Sequence, residues 1–300
     1  MASQLLSFVT GVRLESKEIC KQIRRSCTNL QAMWRLLHSP PGSGAFNMAL
    51  DEALMWHARE TGDWVFRVYS WVAPTLSLGR NQTARGGYDL ARLLERGIDV
   101  VRRPTGGRAI LHDREVTYSV VGPIVDAGDL RESYGRINRL LLAGLRQLGA
   151  GVAMVAGDPP NSSRQSDLER AQPGLLPCFH HPSRGEITVD GRMLVGSAQC
   201  RCDGALLQHG SILIDDDQMQ LSSLLIQCGP PIPKPATLRD ALGHAPNEVA
   251  VAEALFEAVR SAEDSDAHEI EDDSAVVDVE VDIMKKDDVD VEKDVDKDEE

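Results

Sequence analysis

Cysteine and histidine side chains mark the part of this chain where covalent chemistry could take place. Cys178 lies in the stretch LLPCFHHPS, with His180 and His181 just after it and His209 further along. A cysteine thiolate is a nucleophile that can form a covalent intermediate with a substrate. The thiol must be activated by a base or a positive charge, and the three histidines are candidate neighbours. The alternative for Cys178, taken alone, is an inert buried thiol.

Zinc binding is a second alternative for the same residue types. Cys200 and Cys202 are separated by one residue, whereas structural zinc sites usually place two to four residues between paired cysteines. The spacing therefore argues against a metal, and we expect Cys200 and Cys202 to pack on one side of a strand. The residues that could have supplied ligands are Cys178, His180, His181, Cys200 and Cys202.

The stretch RRPTGGRAILHD at residues 102–113 joins two glycines to arginines and a histidine. Phosphate-binding loops need Gly-Lys-Ser/Thr, or Gly-x-Gly-x-x-Gly ahead of a helix, and neither pattern is present. Gly106 and Gly107 instead allow the backbone to approach a bound ligand closely. Neighbouring side chains can donate hydrogen bonds to polar parts of a ligand, and the alternative is a solvated surface turn. The side chains concerned are Arg103, Arg108 and His112.

Hydrophobic periodicity places these residues among short strands and amphipathic helices. Residues 45–60 and 130–149 have apolar side chains at helical spacing, whereas residues 64–71 alternate as in a half-buried strand. The pair Asp190-Gly191 predicts a hairpin turn. Strands outnumber helices and often follow one another through short turns, so we predict an α+β domain with a mixed, largely antiparallel sheet flanked by helices. The other predicted strands are 34–39, 75–79, 98–103, 115–122, 186–199 and 205–214, and the other predicted helices are 88–97, 218–226 and 247–262.

Charge divides the chain into a neutral body and an acidic end. The net charge is −14, yet residues 261–300 hold 19 acidic side chains against 4 lysines. With almost no aromatic residues, this end cannot offset its ordering entropy by burial, and we predict a disordered tail. Residues 1–33 lack the apolar core of a signal peptide, so we interpret them as an extension, or as the result of a start codon chosen upstream of Met33. The predicted catalytic domain is 34–260.

Composition also indicates the cellular compartment and the classes of binding partner. Six cysteines in 300 residues, without a secretory signal, favour free thiols in a reducing compartment. No apolar run approaches the ~20 residues that span a membrane. We therefore expect a cytoplasmic protein that binds neither nucleic acid nor a membrane.

Five blocks of sequence, in this order, resemble the catalytic domain of the biotin/lipoate protein ligase superfamily. Within it the chain is most similar to the cysteine-dependent octanoyltransferase branch, because ligases typically have Ser-Gly-Gly-Gly where this chain has Thr-Gly-Gly-Arg at 105–108. The resemblance implies a fold like the class II aminoacyl-tRNA synthetase and biotin synthetase catalytic core. The blocks are NMALDEAL (47–54), RVYSWVAPTLSLGRNQ (67–82), RRPTGGRAILHD (102–113), PCFHHPSRGEITVDGRMLVGSAQ (177–199) and LLQHGSIL (206–213).

The resemblance also implies a reaction of lipoate biosynthesis that requires no cofactor. An octanoyl group would pass from acyl carrier protein to Cys178 as a thioester. It would then pass to a lysine in the lipoyl domain of a glycine cleavage H protein or a 2-oxoacid dehydrogenase E2. The alternatives are an ATP-dependent lipoate-protein ligase and a catalytically silent module that binds lipoyl domains or acyl carrier protein. The implied binding residues are Arg103, Thr105, Gly106, Gly107, Arg108, His112, Gly196, Ser197, Ala198 and His209.

One position departs from the superfamily pattern. Where relatives have Gly-Arg-Lys before Gly-Ser-Ala, with a lysine that contacts the acyl carbonyl or the adenylate, this chain has Met193. Strand alternation predicts that Met193 takes the direction of that lysine and that Arg192 takes the opposite one. No lysine occurs between positions 21 and 234, so ATP-dependent adenylation is harder to support than thioester exchange. Backbone amides near Gly196 and Ser197, or an arginine, remain as donors, and the loss of one such donor typically costs ~10²–10³ in rate.

Overall fold

A computed structural model describes residues 34–82, 87–124, 127–157, 179, 182–216, 218–226 and 233–267. Helices and strands follow each other in an α+β order throughout this part of the chain. The strands are β1 (Trp34–His38), β2 (Trp64–Tyr69), β3 (Thr75–Leu78), β4 (Asp99–Arg102), β5 (Ile110–His112), β6 (Glu115–Pro123), β7 (Ala153–Met154), β8 (Ile187–Val189), β9 (Arg192–Cys202) and β10 (Ala205–Leu213). The helices are α1 (Gly44–Thr61), α2 (Leu90–Glu95), α3 (Leu130–Gln147), α4 (Leu238–Leu242), α5 (Glu248–Ala267) and a 3₁₀ helix (Gln218–Leu224).

Two sheets organise the described residues. The large sheet has seven strands in the order β1-β2-β6-β10-β9-β8-β7, and the small sheet has the order β4-β3-β5. In the large sheet, β1 and β2 pair in parallel and the other neighbours pair antiparallel. In the small sheet, β3 pairs in parallel with β4 and antiparallel with β5. The predicted α+β class with a mixed, largely antiparallel sheet is therefore confirmed.

Helices cover both faces of the large sheet. On one face, α3 and α5 contribute apolar residues such as Ile137 and Leu255 to the main core, together with Phe66 of β2. On the other face, α1 packs Leu50 and Leu54 against β2, β6 and β10. A helix on each face buries every side chain of β2. The prediction of a half-buried strand at 64–71 was wrong, because it assumed that one face of β2 meets water.

Local signals explain where α1 and α3 begin. The Ser43 hydroxyl accepts a hydrogen bond from the amide of Phe46, and the Asp129 carboxylate accepts bonds from the amides of Arg131 and Glu132. Such caps satisfy the amides that a helix start leaves unpaired. Helix α1 ends at Gly62, whose φ of +80° suits a residue without a Cβ. The two predicted long helices are thus confirmed, with boundaries shifted by one or two residues.

Hairpin turns set the register of β8, β9 and β10. Asp190-Gly191, the predicted turn, joins β8 to β9 with both φ angles positive, as a type I′ turn requires. Asp203-Gly204 joins β9 to β10 in the same way. Residues 218–226 were predicted to be helical, and the structure has a 3₁₀ helix over Gln218–Leu224. The five-residue α4 is too short to show helical periodicity, so it was not predicted.

Candidate active site

A cleft that is open to solvent lies where the large sheet, the small sheet and α1 meet. Small residues of β9 and β10 form its floor: Gly196 pairs with Ser211, and Ser197 pairs with Gly210. A Cβ at Gly210 would lie 2.4 Å from the carbonyl oxygen of Gly196, so the strands pack too closely there for a larger residue. The lining residues are Met48, Tyr69, Trp71, Ser77, Arg103, Ile110, His112, Thr117, Gly196, Ser197, Ala198, His209, Gly210 and Ser211.

His209 forms one wall of the cleft and is held at both ring nitrogens. Its Nδ1 lies 3.0 Å from Asp51 Oδ2, and its Nε2 lies 2.7 Å from Thr105 Oγ1. Asp51 is fully buried and forms an ion pair with Arg67 at 2.8 Å. Burial alone would raise the pKa of Asp51, but the bond from His209 and the charge of Arg67 lower it below its usual value. Burial lowers the pKa of His209, so its ring is neutral near pH 7.

His112 lies in the same cleft beside a second buried carboxylate. Its Nδ1 is 3.1 Å from Glu115 Oε1, and the Glu115 carboxylate also accepts bonds from the hydroxyls of Thr117 and Ser211. The Trp71 ring stacks on the imidazole with centroids 4.1 Å apart and planes inclined by 16°. The Trp71 indole N–H donates to Thr117 Oγ1 at 2.8 Å. Orientation of the His112 ring is therefore fixed by a bond at one edge and by stacking on one face.

Asp51 and Glu115 were not predicted as site residues, although both lie in or beside sequence stretches that were singled out. Asp51 lies within the block NMALDEAL, and Glu115 follows His112 by three residues. A polar residue inside an amphipathic helix does not reveal that it faces a buried arginine from another element. Only the pairing of α1 with β2 and β10 shows that Asp51 contacts both Arg67 and His209.

The glycine-rich stretch lies between strands, as predicted, and forms a tight loop that ends at β5, a strand that was not predicted. A Cβ at Gly79 would lie 2.1 Å from the carbonyl oxygen of Gly107, whose own φ is +90°. The Arg103 guanidinium donates to the carbonyl oxygens of Gly106 and Arg108 at 3.0 and 2.6 Å. Arg103 lines the cleft, yet these hydrogen bonds hold the conformation of its own loop. A direct role of Arg103 in binding the substrate stays a prediction.

Met193 occupies an apolar environment at the position of the superfamily lysine. Its side chain is 2% exposed, and Arg192 donates to the carbonyl oxygen of Pro235 and to Asp240. Arginine therefore does not replace the lysine at this place. The apolar neighbours of Met193 are Ile110, Phe179 and Leu213.

The structure brings most of the predicted binding residues together. His112, Gly196, Ser197, Ala198 and His209 line the cleft, and Thr105 contacts it through His209. A Cβ at Gly107 would lie 3.8 Å from that of Ala198, whereas Arg108 interacts electrostatically with Glu186. Burial raises the pKa of Glu186 to about 7 against the opposing effects of the Ser183 amide and Arg108. Three predicted residues, Cys178, His180 and His181, lie outside the described residues.

The two cysteines among the described residues are Cys200 and Cys202. Cys200 is buried and Cys202 is exposed, so the expectation that both pack against a neighbour was wrong for Cys202, which lies at the end of β9. Burial raises the pKa of Cys200 to about 11, which disfavours its thiolate. Within the described ranges no group of three or more His, Cys, Asp or Glu residues could hold a metal ion. None of the helices described is long and apolar enough to cross a membrane.

Comparison with known proteins identifies the family. Residues 43–260 match the family model described as the lipoyl protein ligase A/B catalytic domain. The chain belongs to this family. The relationship predicted from five sequence blocks is thereby confirmed, and the cleft lies within the matched residues.

Relatives within the lipoyl protein ligase A/B family carry a more specific name. The chain is 47% identical over 198 residues to a protein from Kyrpidia tusciae named octanoyltransferase LipM, with 64% of this chain and 70% of the relative aligned. It is 39% identical over 198 residues to octanoyltransferase LipM of Bacillus subtilis, with 64% and 69% aligned. The match to the octanoyltransferase branch thus agrees with the Thr-Gly-Gly-Arg sequence of the loop.

Solved structures support the fold. A lipoate protein ligase from Thermoplasma acidophilum with bound lipoic acid has a TM-score of 0.59 at 23% identity, covering 78% of this chain and 86% of the ligase chain. The LipL1 protein of P. falciparum in complex with lipoate has a TM-score of 0.60 at 18% identity, covering 81% and 65%. These similarities show that the lipoyl protein ligase A/B family fold was predicted correctly.

Proposed function

We propose that this chain is an octanoyltransferase that moves an octanoyl group from acyl carrier protein to the lysine of a lipoyl domain. The observation that carries this proposal is the similarity, up to 47% identity, to proteins named octanoyltransferase LipM. The acceptor would be a glycine cleavage H protein or a 2-oxoacid dehydrogenase E2. Cys178 would hold the octanoyl group as a thioester between the two transfers. Because the intermediate must start from a free thiol, we also propose a reducing, cytoplasmic setting.

The shape of the cleft supports an acyl substrate. Met48, Trp71 and Ile110 give it apolar walls, and small residues of β9 and β10 form its floor. The Ser197 hydroxyl lies on the same lining, where a thioester carbonyl requires donors. A single cleft therefore combines apolar surface that suits an acyl chain with a polar group for the reacting end.

The environment of position 193 distinguishes the octanoyltransferase from an ATP-dependent ligase. An adenylate intermediate carries phosphate charge that a ligase must neutralise, and lysine is the superfamily residue for this purpose. Here Met193 packs among apolar residues, and Lys234, which pairs with Asp240 at 3.4 Å, is the sole lysine in the described ranges. Thioester exchange creates no phosphate charge, so the apolar substitution is more compatible with the transferase.

Intact mass spectrometry after mixing with octanoyl acyl carrier protein tests the proposal. We expect one octanoyl adduct on the wild type, no adduct on Cys178→Ala, and transfer to an added lipoyl domain. Cys202→Ala is the matched control, because Cys202 is an exposed thiol whose loss should leave the adduct intact. Modification of the lipoyl domain that requires ATP and free lipoate would instead support a ligase. Binding of the lipoyl domain without any transfer would support a silent module.

A further inference from the structure

Octanoyl transfer to lysine requires a group that accepts a proton. A lysine side chain has an ordinary pKa of about 10.4, so it reaches the enzyme mostly as an ammonium ion and must lose protons to become an amide. The superfamily lysine could exchange protons at this point, but this chain has Met193 among apolar neighbours. A histidine that lines the cleft is a candidate to accept one of these protons.

The two histidines of the cleft differ in how their ring nitrogens are used. His209 contacts Asp51 at Nδ1 and Thr105 at Nε2, so both nitrogens are engaged with protein groups. The hydrogen-bond contacts of His112 with other described residues are made at Nδ1, to Glu115 and Thr117. Since Nδ1 is held on the buried side and the ring lines the cleft, Nε2 is the nitrogen on the cleft side.

The surroundings of Glu115 determine which nitrogen of His112 carries the proton. Its carboxylate is fully buried and accepts bonds from the hydroxyls of Thr117 and Ser211. A carboxylate that already receives hydroxyl donors accepts a further N–H, so His112 donates from Nδ1. The Nε2 lone pair is then available as a proton acceptor, and the imidazolium that forms is stabilised by the adjacent negative charge.

We propose that His112 accepts the proton released by the attacking lysine, and that Glu115 is the positioning residue that fixes the tautomer of His112. This inference rests on the proposed octanoyltransferase function. In the step, the lysine ammonium first loses one proton to solvent, and the neutral amine nitrogen then attacks the carbonyl carbon of the cysteine thioester. A C–N bond forms and the C–S bond breaks. His112 Nε2 takes the second proton from that nitrogen and the departing thiolate takes up one proton, so amine and thioester become amide and thiol without a cofactor.

Other polar groups near His112 come from every element that surrounds it. Glu115 belongs to β6, His209 and Ser211 belong to β10, and Arg103 follows β4. Arg103 is engaged with the loop carbonyls, and the His209 ring is held neutral by burial. Glu115 is therefore the carboxylate in contact with His112, which makes it the residue to test.

Kinetics of the second half-reaction provide the main test. The enzyme is first loaded with octanoyl from acyl carrier protein, and the single-turnover rate of transfer to a lipoyl domain is then measured. We expect His112→Ala to load within about tenfold of the wild-type rate and to transfer about 10²–10⁴-fold more slowly, with the KM for the lipoyl domain little changed. Added imidazole should restore part of the rate. His244→Ala, which removes an exposed histidine, is the matched control and should transfer normally.

The role of Glu115 needs readouts that a purely structural residue would not affect. Glu115→Gln should lower kcat by about ten- to a hundredfold with KM within twofold, and Glu115→Asp should recover most of this loss. In ¹⁵N NMR spectra of the wild type, we expect His112 to be the Nδ1–H tautomer. An Nε2–H tautomer would overturn the proposal whether or not the variants fold, because that nitrogen could not then accept a proton.

The outcomes separate this inference from the proposed function. If the wild type neither loads nor transfers octanoyl, the proposed function itself fails. If the wild type transfers and His112→Ala transfers within threefold of it, the function stands and the role of His112 is refuted. A His112→Ala variant that cannot be loaded at all would place the histidine in the first transfer and refute its assignment to the lysine step.

Discussion

At the scale of single residues, the stability of the protein depends on an ion pair that is buried away from water. Asp51 and Arg67 are both fully buried, and Asp51 also contacts Tyr69, Ser119 and His209. Removing one partner of such a pair leaves the other charge buried without compensation, which typically costs about 3–5 kcal/mol. The pair therefore holds His209 in the cleft wall through Asp51, and the loss of either charge is expected to destabilise the fold.

Asp51→Asn should lower the free energy of unfolding by about 3–5 kcal/mol at pH 7. The folded-state pKa of Asp51 is lowered, so its contribution is present above the ordinary aspartate value and is lost as the pH falls through the folded pKa. Stability measured by urea unfolding should therefore depend less on acidic pH in the variant. Asp99→Asn, at an exposed position, is the control. Equal stability of the Asp51 variant and the wild type would refute the account of the pair.

Met193→Lys should destabilise the protein without improving octanoyl transfer. The new ammonium would replace an apolar side chain against Ile110, Phe179 and Leu213, where it loses hydration. We expect a lower unfolding midpoint and a transfer rate at or below that of the wild type. Met193→Leu keeps the volume and should cost less than about 1.5 kcal/mol. A tenfold gain in rate for the lysine variant would show that the native protein lacks a group it needs.

At the scale of elements, the packing of α3 on α5 leaves no room beside one glycine. A Cβ at Gly144 would lie 2.8 Å from the carbonyl oxygen of Ala254 and 2.9 Å from the Cα of Leu255. Gly144→Ala should destabilise by about 1–3 kcal/mol, because the backbone of α5 must shift. Gly135→Ala, in the same helix, meets only the end of the Arg139 side chain at 3.4 Å and should stabilise by up to ~1 kcal/mol. Thermal unfolding compares the two, and similar melting temperatures would contradict the contact.

Elements with strong local signals were predictable from the sequence. Ser43 and Asp129 mark helix starts, Asp190-Gly191 marks a turn, and the amphipathic pattern of α3 gives its length. Elements that depend on distant partners were not predictable. The burial of β2 on both faces requires α1 to lie across it, and the short β5 forms because it pairs with β3. Contacts of this kind arise only in the folded chain.

The same distinction applies to the site. Residue types suggested His112, His209 and the glycine pair, since their chemistry is visible in the sequence. The contact of Asp51 with His209 comes from the packing of α1 on β10, which residue spacing does not encode, whereas Glu115 lies only three residues after His112. Arg103 was predicted to donate hydrogen bonds to a ligand because it lies beside two glycines. In the structure its guanidinium donates to carbonyl oxygens of its own loop. Residue type therefore predicted which groups are present, but not which groups contact one another.

At the scale of the whole molecule, charge is distributed unevenly between the family domain and the C-terminal end. The tail was predicted to begin at 261, which was wrong because α5 continues to Ala267, and residues 268–300 lie outside the described residues. Residues 268–300 contain 16 acidic side chains against 4 lysines, which accounts for most of the net charge of −14. The acyl carrier proteins and lipoyl domains that we propose as partners are commonly acidic. Like charges lower the rate of encounter, and the effect weakens as salt screens it.

Removal of residues 268–300 should therefore raise kcat/KM for acidic donor and acceptor proteins while leaving the chemical step unchanged. The increase should appear in the association rate, be largest at low ionic strength, and shrink as the Debye length falls from ~30 Å at 0.01 M to ~8 Å at 0.15 M. Stopped-flow measurement of octanoyl loading across a salt series checks this. A full-length variant with neutral residues in place of the acidic ones in 268–300 separates charge from length. If the truncated protein and the wild type have the same salt dependence, the acidic end does not act through its charge on these partners.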